Sequence, residues 1–392
     1  MPIKLNSDAG GSVTLDTVST ASTYNITIPA SNGTFAIVQN DGVVNFGVSE
    51  ITFSNSVTIA NNFTVANNIS VTGTIAMGSS FKRNRLINGD MKIWQRGTSF
   101  TVAATGSPTY TADRWGVSPT GASVGVTLGG GPAGFSQTSL VVYGNSGLTS
   151  VQICQRIEAV NCVDLSGKYV TVSGYIWQST GSPLSGVTVR IARANAGDNY
   201  TSVTQMGSTY TIPTFPSSQW TRFTCTFTTD AYALNGVVLL IDTNTGYSNS
   251  AVVALNGMQL EVGTVATPYE FQMFSEQLAQ CQRYYEKSYE LNTAPGSQTT
   301  YGAIRQRAPT VDFWYYVQYK VAKRASPSSA VVYSNRIANA PGYLYQVDGT
   351  GYPADRAVTT SSKSETGFQL YCSTVGASGA LVEFQWAVDA EL

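Results

Sequence analysis

Histidine is absent from this chain of 392 residues. Its absence removes the most common general base, the usual hydrolase triads and every metal site built on imidazole. Chemistry that uses carboxylates alone is still available, because two facing acids are enough to cleave a glycosidic bond. No phosphate-binding loop and no dinucleotide fingerprint opening a helix occurs either. We therefore predict that the protein is not an enzyme.

Charged residues are also scarce. They make up 11% of the chain and leave a net charge of −1, whereas ordinary globular domains contain roughly 25%. Such a chain has no overall field to attract nucleic acid or an anionic membrane, and we expect neither as a partner. Ser, Thr, Asn and Gly take the place of the missing charged residues. This composition is typical of β-structure with many turns and a neutral surface.

Long apolar runs and paired cysteines are missing as well. No segment approaches the ~20 apolar residues of a membrane helix, and the start, Met1 to Asn6, lacks the apolar core of a secretory signal. We expect synthesis in a cytoplasm without the usual export route. The five cysteines form no CxxC pair, so we predict small buried side chains and no disulfide framework.

The clearest pattern that is present is a six-residue repeat. Its apolar positions form two series, Ile51, Val57, Phe63, Ile69 and Ile75, and Phe53, Ile59, Val65, Val71 and Met77. Each unit predicts a very short strand followed by a polar turn. Two apolar side chains per unit cannot enclose a core within one chain, so residues 51–80 are predicted to form a β shaft of three intertwined chains. A single-chain left-handed β-helix and an irregular β-meander remain alternatives.

Residues 1–50 contain further alternating segments, including Ser12–Leu15 and Tyr24–Pro29. We interpret them as strands that attach the shaft to a larger particle.

Residues 81–272 change to longer alternating strands separated by Gly, Ser and Pro. The clearest are Lys168–Trp177, Gly186–Ala192, Trp220–Phe227 and Val237–Asp242. Strands at this spacing, with no helical pattern between them, predict a β-sandwich, and a jelly roll accommodates this number of strands.

Two segments at the ends of this region carry a resemblance. Leu86–Gly97, with Tyr110–Trp115, looks like the opening of the sandwich domain in phage tail-fibre and minor tail proteins, and Met258–Glu270 resembles its last strand. That domain is similar to carbohydrate-binding modules of the galactose-binding-like jelly-roll type. The resemblance implies a fold and suggests a sugar as the ligand.

Sugar binding would use aromatic ring faces, and Trp94, Trp115, Trp177 and Trp220 are predicted candidates, with burial in the core as the alternative. Asp113 and Arg114 are predicted to pair with neighbours and to fix the loop before Trp115. Modules of this type often hold a structural calcium ion, for which Asp90 and Glu261 occupy roughly matching places. Met91 departs from the pattern, since an acid often follows at that position.

Residues 273–392 begin with the one convincing helix, predicted over Ser275–Lys287 with Ser275 as its cap. Gln280–Ser288 resembles the segment that joins the sandwich to the terminal domain of phage fibres, and Phe384–Leu392 looks like the end of tail-fibre tip domains. Strands predicted between these segments make this region a β-sandwich tip. They are Thr300–Gln306, Thr310–Ala322, Ala330–Tyr333, Gly367–Tyr371 and Ala380–Ala390.

Tyrosines are dense in this last region. A long loop over residues 335–360 holds Tyr343, Tyr345 and Tyr352, and Tyr is favoured at adaptable binding surfaces. We predict that these three contact a ligand, with trimer packing or an irregular loop as the alternative.

Together these features predict an all-β homotrimeric phage tail fibre, assembled in the host cytoplasm and incorporated in the virion. Its N-terminus would bind tail or baseplate proteins, and its tip a bacterial surface glycan or protein. One alternative is a virion spacer or head fibre without receptor binding. A polysaccharide depolymerase is a further alternative.

Overall fold

The structure is a computed structural model. It describes the backbone of residues 3–6 and 12–15, and residues 82–392 apart from 180–183, 246–250, 337–339, 349–353, 374 and 377. The chain divides into two compact units, Met1–Ala76 and Met77–Leu392. In the first, Ile3–Asn6 (β1) pairs antiparallel with Ser12–Leu15 (β2). The six-residue repeat over 51–80 lies outside the described residues, as does Tyr352, so the predicted trimeric shaft stays a prediction.

The second unit is almost entirely β-structure, which confirms the predicted fold class. Its first twelve strands are Ser99–Val102 (β3), Thr109–Tyr110 (β4), Gly116–Thr120 (β5), Val124–Gly129 (β6), Ser139–Tyr143 (β7), Ser150–Ile157 (β8), Tyr169–Gln178 (β9), Ser185–Ala196 (β10), Asn199–Thr211 (β11), Thr221–Thr228 (β12), Val237–Thr245 (β13) and Val252–Val262 (β14). Short 3-10 turns lie at Ala159–Asn161, Val163–Leu165 and Ala231–Asn235.

These strands build a sandwich of two six-stranded antiparallel sheets. One sheet has the order β11-β10-β13-β8-β5-β4 and the other β12-β9-β14-β7-β6-β3. The chain crosses between the sheets several times, for example from β9 to β10 and from β13 to β14, as in a jelly roll. In β12, Phe223, Cys225 and Phe227 are buried and the residues between them are not, because alternate side chains of a strand point to opposite faces.

A second β-domain follows. Its strands are Tyr285–Lys287 (β15), Ile304–Arg307 (β16), Phe313–Gln318 (β17), Ser329–Tyr333 (β18), Tyr343–Gln346 (β19), Ala354–Ala357 (β20), Thr359–Ser361 (β21), Gly367–Cys372 (β22) and Leu381–Asp389 (β23). Strand β23 is central to one sheet and pairs with β15, β16, β18 and β19. The other sheet has the order β17-β22-β21. Both contribute to one core, with Phe313 and Phe368 from the small sheet against Phe384 and Trp386 from β23.

One α-helix, Phe274–Gln282 (α1), is present among the described residues, and it is shorter than predicted. Its N-cap is Met273, so Ser275 lies within the first turn and does not cap it. The predicted last turn is wrong because Tyr285–Lys287 forms β15 and pairs with Ala387–Asp389. Long-range strand pairing overrides the local helical pattern there. No helix in the described part of the chain is long and apolar enough to cross a membrane.

Candidate functional site

The small sheet of the C-terminal domain exposes aromatic rings on its outer side. Along β17, Phe313 and Val317 are buried while Trp314 and Tyr316 are exposed, at 53% and 52%. Trp314 lies directly opposite Tyr371 of β22, and the two rings stack with centroids 4.1 Å apart. This cross-strand stack makes a flat aromatic surface that is open to solvent.

Neutral polar side chains surround the stack. Residues that lie opposite each other in neighbouring strands have side chains on the same side of the sheet. Tyr316 lies opposite Gln369, and Thr359 lies opposite Tyr371. We name this set the aromatic face, and its members are Trp314, Tyr316, Gln318, Thr359, Ser361, Gln369 and Tyr371. It contains amide and hydroxyl groups and no charged side chain.

Hydrogen bonds fix the two phenol groups at the rim of the aromatic face. The Tyr371 hydroxyl lies 3.4 Å from Asp312 Oδ1, and the Tyr316 hydroxyl lies 3.4 Å from Thr366 Oγ1. Partial burial and the neighbouring Asp312 carboxylate raise the pKa of Tyr371, so this phenol stays protonated. The Tyr371 phenol therefore donates to Asp312 near neutral pH, and its oxygen can still accept a hydrogen bond. Hydrogen bonds with Thr366 and Ser364 lower the pKa of Tyr316.

Flat rings beside neutral donors and acceptors match the chemistry of a sugar. The apolar C–H face of a pyranose packs on an aromatic ring, and its hydroxyls bind amides and hydroxyls. The arrangement can therefore bind a ligand through ring stacking and hydrogen bonds.

Of the four tryptophans predicted to stack on sugar, Trp94 and Trp115 lie in the sandwich core, whereas Trp177 and Trp220 are half-buried. Trp94 is 1% exposed and Trp115 is 0% exposed. The indole N–H of Trp94 donates to the carbonyl of Met91 at 2.8 Å, and that of Trp115 donates to the carbonyl of Asn88 at 2.9 Å. Neither ring has a free face, so the sugar-stacking expectation is corrected to the alternative, a core role.

The loop before Trp115 is held as predicted. Asp113 accepts hydrogen bonds from the backbone N–H and the side-chain amide of Gln95. Arg114 forms an ion pair with Glu391 and donates to the carbonyl of Arg156. Asp113 therefore joins the Tyr110–Trp115 part of the opening motif to its Leu86–Gly97 part.

Asp90 and Glu261, the two residues predicted to hold calcium, differ in their hydrogen bonding. Both oxygens of Glu261 accept hydrogen bonds from Thr267, and one of them also accepts from Gln259. Asp90 is fully buried and neither of its carboxylate oxygens has a hydrogen-bond partner among the described residues, although Oδ2 lies 2.6 Å from the ammonium of Lys92. Among the described residues no group of three or more acidic or thiol side chains could hold a metal ion. Glu261 is therefore engaged by protein groups, and a calcium ion at Asp90 stays a prediction.

Tyr343 and Tyr345 lie on strand β19, so the predicted loop over 335–360 contains three short strands. The ring of Tyr345 lies 5.6 Å from the Arg336 guanidinium, and Tyr345 faces Glu383 across the strands. Burial acts to raise the pKa of Glu383, but hydrogen bonds from Asn335, Arg305 and Arg336 outweigh it and lower the pKa. A ligand contact by Tyr343 and Tyr345 stays a prediction.

Sequence reasoning missed Trp314. The predicted strand over 310–322 contained it, and the alternation of Phe313, Tyr315 and Val317 with Trp314 and Tyr316 was visible. A strand pattern marks two faces without saying which one is covered, so the exposed face was not assigned.

No protein-family model matches this chain, and no curated protein matches it. Among solved structures, it is similar to the enzymatically active domain of bacteriophage CBA120 tailspike protein 4, at 15% identity and a TM-score of 0.30 over 46% of this chain and 21% of that one. It is also similar to a putative sugar binding protein from Bacteroides thetaiotaomicron, at 12% identity and a TM-score of 0.31 over 46% of this chain and all of that one.

A third similar structure is the CBM22-1 xylan-binding domain from Paenibacillus barcinonensis Xyn10C. Identity is 16% and the TM-score 0.28, over 44% of this chain and 99% of that one. The chain thus spans about a fifth of the tailspike domain, which is the first of these three. Because the likenesses are partial, the functional conclusion rests on the geometry of the site itself.

Proposed function

We propose that this protein is a virion fibre of a bacteriophage that attaches to a bacterial surface glycan through the aromatic face of its C-terminal domain. The observation that carries the binding role is the solvent-exposed Trp314–Tyr371 stack. Large aromatic side chains are usually buried when they serve only stability. The resemblance of Leu86–Gly97 and Met258–Glu270 to phage tail proteins supports the virion assignment.

The aromatic face favours a neutral glycan. It holds no Lys or Arg to attract an acidic sugar, and the carboxylate of Asp312 at its rim would repel one. Gln318 and Gln369 supply both donors and acceptors, which suits hydroxyl groups that act as both. We therefore expect hexose-rich chains as ligands, with the ring face lying on Trp314.

A homotrimer would raise the apparent affinity. Three copies of one weak site, held on a common shaft, convert single contacts into avidity without any new interaction. The shaft proposal rests on the repeat between Ile51 and Met77. Sedimentation of the full chain should give a particle with the mass of three chains, and a stable monomer would end the trimer proposal.

The binding role is tested with the full chain on an array of bacterial capsular and O-antigen polysaccharides. We expect wild-type protein to bind a subset of neutral polysaccharides. Trp314→Ala should weaken that binding about tenfold or more, equivalent to about 1.4 kcal/mol, while the melting temperature stays the same because the ring is at the surface.

Tyr301→Ala is the matched control, since Tyr301 is an exposed aromatic residue of the same domain and lies outside the aromatic face. Equal binding by wild type and Trp314→Ala would contradict the proposal. Binding of wild type to no polysaccharide at all would favour a virion spacer. Release of oligosaccharides from a bound polysaccharide would instead indicate a depolymerase.

A further inference from the structure

A pocket of about 630 Å³ lies beside the loop over residues 130–138, which joins β6 to β7 in the sandwich. Its walls include Lys92, Phe135, Ser136, Gln137 and Thr138. The volume is within the range of roughly 300–1,000 Å³ that small-molecule sites occupy. No residue of the aromatic face lines it, so it is a separate site.

The loop is anchored by one aromatic side chain. Phe135 packs against Tyr175, Tyr269 and Phe271, with ring centroids 5.0 to 5.3 Å apart. A Cβ atom at Gly257 of β14 would lie 2.8 Å from the Phe135 ring. Position 257 must therefore be glycine for the ring to fit. The pocket wall is therefore preformed by packing.

Hydrogen bonds fix the other end of the loop. Thr138 Oγ1 donates to the carbonyl of Asp90 at 2.8 Å. The side-chain amide of Asn256 donates to both Asp90 and Thr138 carbonyls, at 2.9 and 2.6 Å. These bonds join the loop to the segment that carries Lys92.

Among the described residues that line the pocket, Lys92 is the one with a charged side chain. A fully buried carboxylate holds it, because Asp90 Oδ2 lies 2.6 Å from the ammonium, while the Phe271 ring lies 5.7 Å away. The Lys92 side chain is still 36% exposed. An ammonium has three N–H groups, so donors remain for a ligand in the pocket.

The loop adds further donors. The backbone N–H groups of Ala133, Gly134 and Gln137 have no acceptor among the described residues. The hydroxyl of Ser136 is already engaged with Thr138. These N–H groups and the ammonium of Lys92 can therefore donate to acceptor atoms of a ligand.

We propose that this pocket binds an acidic saccharide unit. The sugar carboxylate would bind the ammonium of Lys92 and nearby loop amides. Carboxylate bonds to a charged donor are among the stronger hydrogen bonds in proteins. The apolar face of the sugar ring would lie against the exposed Phe271 ring. The sandwich would then bind an acidic sugar unit of a glycan, while the C-terminal domain binds neutral sugar units.

Calorimetry of the full chain with three probes tests this: glucuronate, glucose and inorganic phosphate. Glucuronate should bind at least tenfold more tightly than glucose, and its affinity should fall as salt is added, because the contact is ionic. Equal binding of glucuronate and glucose would overturn the proposal. Binding of phosphate without binding of glucuronate would overturn the saccharide assignment.

Two further measurements locate the site. The double variant Asp90→Asn/Lys92→Gln removes both charges together, which avoids a buried unpaired carboxylate, and it should lose glucuronate binding. Lys168→Gln, an exposed lysine of the sandwich, is the matched control. Because the double variant could fail to fold, hydrogen exchange of wild type provides an independent test.

In that measurement, glucuronate should slow amide exchange in peptides that cover residues 130–138. Protection confined to the C-terminal domain would overturn the proposal. Trp314→Ala should leave glucuronate binding unchanged, so failure of this proposal and failure of the neutral-glycan proposal give different results.

Discussion

At the scale of single residues, the protein buries several ionisable groups that its sparse charge does not suggest. Lys287 is 2% exposed, and its ammonium donates to the carbonyls of Leu291 and Thr293. Burial lowers the pKa of Lys287 to about 8, against a smaller opposing effect of Asp113. The unfolded chain would keep an ordinary lysine pKa of about 10.4.

This difference predicts a pH dependence of stability. Between about pH 8 and pH 10.4 the unfolded Lys287 holds a proton that the folded one has lost, so the free energy of unfolding should rise with pH in this window. Below pH 8 Lys287 is protonated in both the folded and the unfolded state, so it adds no pH dependence to the free energy of unfolding. Unfolding in urea at several pH values should show wild type gaining stability relative to Lys287→Met above pH 8.

Lys168→Met serves as the control, because Lys168 is exposed and should give curves parallel to wild type. Parallel curves for Lys287→Met as well would contradict the lowered pKa of Lys287 in the folded protein.

At the scale of elements, the aromatic face depends on the close pairing of β17 and β22. Gly367 of β22 lies opposite Gln318 of β17, and a Cβ at this position would lie 2.4 Å from the carbonyl oxygen of Val317 and 2.5 Å from Tyr316 side-chain atoms. A backbone atom cannot move away as the end of a long side chain can. The strand therefore needs glycine here for reasons of space.

Gly367→Ala should accordingly destabilise the protein by about 2 kcal/mol, as overpacking does. It should also weaken polysaccharide binding, since Tyr316 must shift. Thermal melting and the polysaccharide array measure the two effects. Gly197→Ala is the control, because a Cβ there meets nothing within 4 Å. An unchanged melting temperature for Gly367→Ala would contradict the close strand pairing.

At the scale of the whole second unit, the last residues of the chain join the C-terminal domain to the sandwich. Arg114 of the sandwich is 1% exposed, pairs with Glu391, and lies with its guanidinium 3.4 Å from the Tyr284 ring centroid. Arg96 binds Asp389 at 2.9 Å and stacks on Tyr285. Both arginines are largely desolvated, so their acidic partners are needed to keep the contact stable.

Glu391→Ala should therefore cost about 3 kcal/mol, because it leaves Arg114 buried without its carboxylate. Calorimetry should show the two β-domains melting separately in this variant. The double variant Arg114→Met/Glu391→Gln should recover part of the loss, since no charge stays unpaired. Glu365→Ala, an exposed acid without an ion pair among the described residues, is the control. Wild-type melting of Glu391→Ala would refute the interdomain role.

The sequence by itself determined the all-β class, because strand alternation is a local property. The strands around Phe223–Phe227 and Val237–Ile241 could be predicted directly from the sequence. The absence of histidine excluded imidazole-based catalysis and imidazole-based metal sites without any knowledge of the fold. Strands β16, β17, β18, β22 and β23 of the C-terminal domain followed in the same way, whereas β19, β20 and β21 lie where a loop was predicted. The end of helix α1 could not be predicted from the sequence, because the pairing of Tyr285–Lys287 with β23 is a long-range contact.

Only the tertiary structure decided which aromatic residues face solvent. Trp94 and Trp115 were predicted to contact a ligand and are buried. Trp314 was predicted only to lie in a strand and is exposed. The pairing of Lys92 with Asp90 beside the 130–138 loop also required the fold. The physical reason is the same in each case. Periodicity gives every strand two faces, and burial depends on what a distant part of the chain packs against.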